Sequence, residues 1–412
     1  MYDLAVIWEW ISFSVRWLHV VTAMAWIGAS FFFIALDLGL KKSPDTLAGV
    51  AGEEWQVHGG GFYHIQKYII APENMPEHLI WHKWQSYITW VSGAALLIII
   101  YWVSGELFLL DPTKVNLSLW QGILISGGSL TIGWLAYDYM CKSRLSAYPT
   151  ALMLILFFII LAMSWGYNQI FTGRAALLHL GAFTATIMTA NVFFQIMPNQ
   201  RIVVADLKAG RSPDAKYGKI AKVRSTHNNY LTLPVVFLML SNHYPMSFGT
   251  EYAWIIASLI FLTGVTIRHY FNSLHSKGVG PHWAWGVTVL LMVLIAWLSS
   301  VRPTETREDA ESRSLTRYEQ RFFAAEHFDE AYDVVIGNCS MCHAREPAWY
   351  NMKWAPKGVY LETKGDIAQN ADQIYLHAGI SHAMPPPNAI QMPQQAREIL
   401  IAWVQDAYSD SR

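Results

Sequence analysis

Residues 148–168 read YPTALMLILFFIILAMSWGYN, a run without a single Asp, Glu, Lys or Arg. At about 1.5 Å of helical rise per residue, a run of this length crosses a hydrocarbon layer of about 30 Å. Working outward from it, comparable runs lie near 11–36, 84–105, 117–140, 174–197, 229–247, 251–271 and 283–301. The run at 229–247 is the shortest and carries Asn242 and His243. The chain is 53% hydrophobic and only 14% charged, whereas soluble domains carry about 25% charged residues. The fold expected is therefore all-α: a polytopic membrane helix bundle of eight spans, with seven as the alternative count.

Charge placement orients that bundle. If the spans alternate, the connections at 37–83, 141–147, 198–228 and 268–282 share one side. They carry Lys41, Lys42, Lys67, Lys83, Lys142 and Arg144, a dense set from Arg201 to Arg224, then Arg268 and Lys277. The opposite connections offer Lys114 and Arg174. The asymmetry assigns the first set to the cytoplasm. The same orientation explains the basic stretch 201–224, so no nucleic-acid partner is expected. The start of the chain, with Asp3 and Glu9 and no basic opening, does not read as a cleavable signal. There is no usable repeat and no Gly-rich phosphate loop, and the formal net charge of −1 averages a basic face with a mixed tail.

Behind the last span, residues 302–320 read as a linker and 321–412 as a small helical domain. That domain contains Cys339-Ser340-Met341-Cys342-His343. Two thiols and an adjacent imidazole at this spacing match a c-type haem attachment site: Cys339 and Cys342 form the thioethers and His343 is the proximal iron ligand. A thiol redox pair is the competing reading. Met384, in His382-Ala383-Met384-Pro385-Pro386-Pro387, is the best distal iron ligand, because prolines stiffen the loop that presents it. Met392 and Met352 compete, and any single Met is ordinarily core filler. His377 and His382 sit more naturally at the haem edge. Covalent haem is attached outside the bacterial inner membrane, so the tail is expected in the periplasm, the side that the basic loops also leave for it. Cys141 stands alone, and no structural disulfide is expected. The helical spacing of 396–403 predicts packing against a helix near 329–336.

Ionisable groups inside spans call for a use or a partner. His19 and His179 lie at similar depths from the tail side, which permits a pair of axial ligands to a b-type haem or another intramembrane redox centre. Hydrogen-bonded structural histidines are the alternative. On the basic side stand His82, His227, His269 and His282, with His58, His64 and His78 in the first connection. Asn228, Asn229, Tyr230 and Thr232 beside His227 can bind an amide-rich ring through paired donors and acceptors, although histidines at a membrane boundary are commonly interface residues. Asp37, Glu106 and Asp138 near span ends read as solvated, and Arg16 and Arg174 could meet haem propionates.

The order of these segments resembles the membrane-bound urate hydroxylase (PuuD) family over essentially the whole chain. The resemblance rests on Arg16-Trp17-Leu18-His19, Ala25-Trp26-Ile27-Gly28 and Trp81-His82-Lys83-Trp84-Gln85, then His227-Asn228-Asn229-Tyr230-Leu231-Thr232-Leu233-Pro234, and finally the two tail motifs. It implies oxidation of urate to 5-hydroxyisourate with water as oxygen source. Electrons would pass through the cytochrome domain to a downstream cytochrome c or terminal oxidase. In that setting His227, with Asn228 or Asn229, is the expected proton acceptor and substrate contact. A quinol-linked respiratory cytochrome subunit and a non-enzymatic electron-transfer anchor are the other classes compatible with the residues.

Overall fold

A computed structural model describes residues 4–72, 74–301, 307–349, 352, 354–386 and 389–409. Its N-terminal part is built on long helices: α1 (Leu4–Gly39), α2 (Trp84–Trp102), α3 (Leu119–Lys142), α4 (Pro149–Ile170), α5 (Gly173–Lys208), α6 (Ala215–Leu240), α7 (Ala253–Lys277) and α8 (Trp283–Ser300). Six of these, α1, α2, α4, α5, α7 and α8, are long and apolar enough to cross a membrane. The other two carry polar loads. Ser126, Ser129, Thr131 and Asp138 run through α3, and the first half of α6 holds Lys216, Lys219, Lys222 and Arg224.

The sixth run is displaced from its expected place at 229–247. Asp214 caps the helix by accepting the Lys216 N–H at 2.9 Å, so the basic stretch is already helical, and α6 stops at Leu240. Two short 3-10 turns follow, Ser241–His243 and Pro245–Ser247, where Pro245 has no N–H with which to continue the ladder. Inside α6, Pro234 packs on α7 at Gly264. A Cβ on that glycine would lie 2.5 Å from the proline Cδ, so only glycine leaves room for the ring.

The expectation of an all-α chain needs one correction. Strands β1 (Val50–His58) and β2 (Gly61–Tyr68) form an antiparallel hairpin within the first connection. Its two-residue turn is Gly59-Gly60, both with positive φ (59° and 78°), the conformation a two-residue hairpin loop of matching twist requires. Hydrogen bonds from Ser43, Gln66, Thr46 and His64 hold the Glu53 carboxyl down at about 2.

Helix α5 is the axis of the bundle. Leu177, Leu180, Phe183 and Ile187 are buried on it and share a core with Leu156 and Tyr167 of α4, Leu238 of α6 and Phe261 of α7. The outward faces of α1 and α8 expose Trp10, Phe13, Trp17, Val289, Val293 and Trp297, a surface compatible with lipid.

The tail is a separate helical core: α9 (Arg307–Ser312), α10 (Arg317–Phe323), α11 (Phe328–Asn338), α12 (Ser340–His343), α13 (Lys364–Gln369), α14 (Ala371–Ile374, running on through Tyr375–Ile380) and α15 (Gln394–Ser409). Trp403 of α15 is fully buried, donates to the Phe322 carbonyl at 2.9 Å and meets the Phe328 ring at 5.8 Å. This is the α11–α15 packing that the apolar spacing predicts. Of the stretch read as linker, 302–306 lies outside the described residues. Residues 307–320 are largely folded: Glu319 is buried in a capping box with Thr316 and pairs with Arg313 at 2.7 Å. The tail core also receives Leu107, and Gly358 approaches Pro245. It therefore rests on the end of the bundle opposite the basic connections.

Candidate functional site

The tail motif forms a single turn, with the His343 N–H donating to the Cys339 carbonyl at 3.0 Å. His343 Nδ1 lies 2.9 Å from the Val359 carbonyl. A carbonyl only accepts, so Nδ1 carries the proton and Nε2 is left as a metal-ligand lone pair, the second-shell arrangement that fixes a ligating imidazole. Met384 is held by its backbone: its N–H donates to His377 O and its carbonyl accepts from Arg397, both at 2.9 Å, while its side chain is 42% exposed. Met392, by contrast, is buried in the tail core. Burial pushes the Cys339 thiol up to about 12 and raises Cys342 as well. A thiol redox pair needs the opposite shift, toward thiolate. The donor set fits a covalently attached haem.

His19 and His179 take separate partners. His19 Nδ1 faces Thr89 O (2.9 Å) and Ser92 Oγ (3.2 Å) on α2. His179 is fully buried, with Nδ1 on Ala175 O and Nε2 on Ser126 Oγ, both at 2.8 Å, and the rings of Tyr101, Tyr167 and Phe171 close around it. Both nitrogens of His179 are engaged in hydrogen bonds, while the partners of His19 lie on its Nδ1 side. Arg174, near the tail side, bonds Asn242 and lies over the Phe108 ring at 5.0 Å.

On the basic side, α6 points three consecutive polar residues in three directions, as a rotation of about 100° per residue dictates. His227 Nδ1 meets the Tyr137 hydroxyl of α3 at 2.8 Å. Asn228 turns to α5: its Oδ1 accepts from Asn191 Nδ2 at 2.9 Å and its Nδ2 donates to Met188 O at 2.9 Å. Asn229 turns to α7, where its Oδ1 accepts from Arg268 Nε (3.2 Å) and Asn272 Nδ2 (3.0 Å). The Asn191 amide also donates to the Tyr137 oxygen at 3.0 Å, which leaves the Tyr137 O–H to donate to His227. One chain of hydrogen bonds thus runs His227–Tyr137–Asn191–Asn228. Arg224 supports it, donating to Asn191 Oδ1 (3.0 Å) and pairing with Asp138 at 2.7 Å.

A cavity of about 770 Å³ opens beside this network between α1, α5, α6 and the first connection, with Trp26, Phe33, Trp81, His82, Lys222 and Asn228 in its wall. His227 and Asn229 are not in that wall. A smaller cavity of about 270 Å³ lies against Tyr230, His269 and Asn272.

Residues 5–299 match the family model described as urate oxidase N-terminal, which takes in all eight long helices. The chain belongs to the urate oxidase N-terminal family. Neither the curated proteins nor the solved structures return a match.

Membership of the urate oxidase N-terminal family implies an oxidoreductase and makes urate a consistent substrate. The polar network of this family member includes Tyr137, Asn191 and Asn272, which sequence reading did not single out, and Arg224 and Arg268, which it assigned to the basic connections and which lie inside helices. Tyr137, Asn191, Arg224, Arg268 and Asn272 are all buried, and Asp138, expected to be solvated at a span end, is only 7% exposed. A signal was present: an Asp in one apolar run and an Arg beside another are costly unless they meet.

Proposed function

We propose that this protein is a membrane-bound urate hydroxylase of the bacterial inner membrane. It would span the membrane eight times, with a c-type cytochrome domain in the periplasm. The reaction is urate plus water giving 5-hydroxyisourate, two electrons and two protons. The observation that carries the reading is the family match over residues 5–299. The tail supports the redox half: Cys339 and Cys342 would anchor a haem that His343 Nε2 and the Met384 thioether would help to hold. A haem bound there would supply one-electron transfer toward a downstream cytochrome c or terminal oxidase.

The membrane part binds and positions. Asn228 reaches the cavity, whereas His227 lies behind it. His227 therefore acts as a positioning residue for Asn228 through Tyr137 and Asn191, rather than as a direct substrate contact. Where α3 meets α6, Tyr137 bonds His227 and Asp138 pairs with Arg224, so these polar residues satisfy one another inside the bundle and not against lipid.

Anaerobic addition of urate to the purified protein, with the visible spectrum recorded, tests the proposal. Reduction of the c-haem bands with formation of 5-hydroxyisourate is expected, and His343→Ala should abolish the reduction. Reduction by a quinol but not by urate would replace this reading with a quinol-linked respiratory subunit.

A further inference from the structure

We infer that the 770 Å³ cavity is the urate site and that Lys222 supplies the counter-charge for the bound anion. The inference rests on the proposed urate chemistry and assigns it a place. The cavity lies within the range of about 300–1,000 Å³ usual for small-molecule sites, and its wall matches the ligand in three respects. Urate is planar, and Trp26, Phe33 and Trp81 offer flat apolar surface for a ring to lie against. Its edge alternates ring N–H and C=O groups. An asparagine amide has four hydrogen-bonding positions, and Asn228 uses two of them on Asn191 and Met188. One N–H and one carbonyl lone pair remain, a donor–acceptor pair complementary to such an edge.

Charge is the third match. Urate is an anion at neutral pH. The carboxylate in the cavity wall, Asp37, is already paired with Lys67 at 2.5 Å. Lys222, in the same wall, has no carboxylate partner among the described residues. The pocket therefore holds an excess of positive charge. Lys222 sits on α6 six residues before Asn228, between the basic connection and the buried network, so an anion entering from the basic side meets the ammonium first.

Urate binding by equilibrium dialysis and steady-state turnover, compared for wild type, Lys222→Gln and Lys222→Arg in the full-length haem-loaded protein, test the assignment. Loss of one charge-assisted contact predicts a rise of about tenfold or more in Kd and KM for Lys222→Gln. A much smaller change in kcat, an unaltered c-haem spectrum and partial recovery in Lys222→Arg are expected with it. Wild-type turnover with unchanged Kd and KM in Lys222→Gln would overturn the site while leaving urate hydroxylation standing, and Lys222 would then be a lipid-facing cation. Wild type that neither binds nor oxidises urate would overturn both readings.

Discussion

Arg224 is 3% exposed, and the apolar core around α5 gives its charge no route to water. It is held by Asp138 at 2.7 Å and by Asn191 at 3.0 Å, while Asp138 also receives Lys142 at 2.6 Å and Gln195 at 3.1 Å. Removing one member of a buried pair leaves the other charge desolvated, at a cost of about 3–5 kcal/mol. The two partners are not equivalent. Asp138→Leu strands Arg224 with neutral acceptors alone, Asn191 Oδ1 and the residue-138 carbonyl, whereas Arg224→Met leaves Asp138 its lysine. Thermal unfolding in detergent should show Asp138→Leu as the more destabilised variant, and the double variant should cost less than the sum of the singles. Equal losses for the two singles would show that the pair is not the buried contact described. At this scale the sequence was only partly legible. Cys339, Cys342, His343 and Met384 stand out by spacing and proline context, and the proposed haem site rests on that pattern. Tyr137 and Asn191 do not, because a tyrosine and an asparagine in an apolar run acquire meaning only when another helix brings a partner to them.

Among the elements, α11 and α15 are tied at one end by a contact between His327 Nδ1 and Asp406. The hydrogen bond that His327 donates to Asp406 raises the His327 pKa above its ordinary value of 6.5. The imidazolium is thus favoured in the folded tail, so its stabilisation is fully present below about pH 6.5 and fades as pH rises through the higher folded value. Denaturant unfolding followed by tail tryptophan fluorescence should show stability falling with rising pH in that window. Asp406→Asn should flatten this component, and an unchanged pH slope in that variant would exclude the pair as its source. Most helices were readable from uninterrupted apolar runs. Two elements were obscured for physical reasons. The first half of α6 is a polar helix made stable by its Asp214 cap and its packing, which hydropathy does not see. The β1–β2 hairpin carries a legible signal, Gly59-Gly60 between two strand-forming runs, but it is small beside the spans that flank it.

Over the whole molecule, the cavity and the basic connections lie at one end of the bundle and the helical tail rests on the other, against Leu107 and Pro245. This polarity follows from two independent sequence properties: the distribution of Lys and Arg among the connections, and the thiol–imidazole motif behind the last helix. What sequence alone did not settle is how three adjacent polar residues on α6 divide their tasks, since a helix separates neighbours by rotation and only the packed partners say which one meets a ligand. Taken together, urate should enter from the basic face and electrons should leave from the opposite one. Sealed membrane vesicles of defined orientation test that claim most directly, with anaerobic urate added outside and c-haem reduction followed by stopped flow. Inverted vesicles, which present the basic face, should reduce the haem without delay, while right-side-out vesicles should respond only as fast as urate crosses the membrane. Immediate reduction in right-side-out vesicles and a lag in inverted ones would contradict the account.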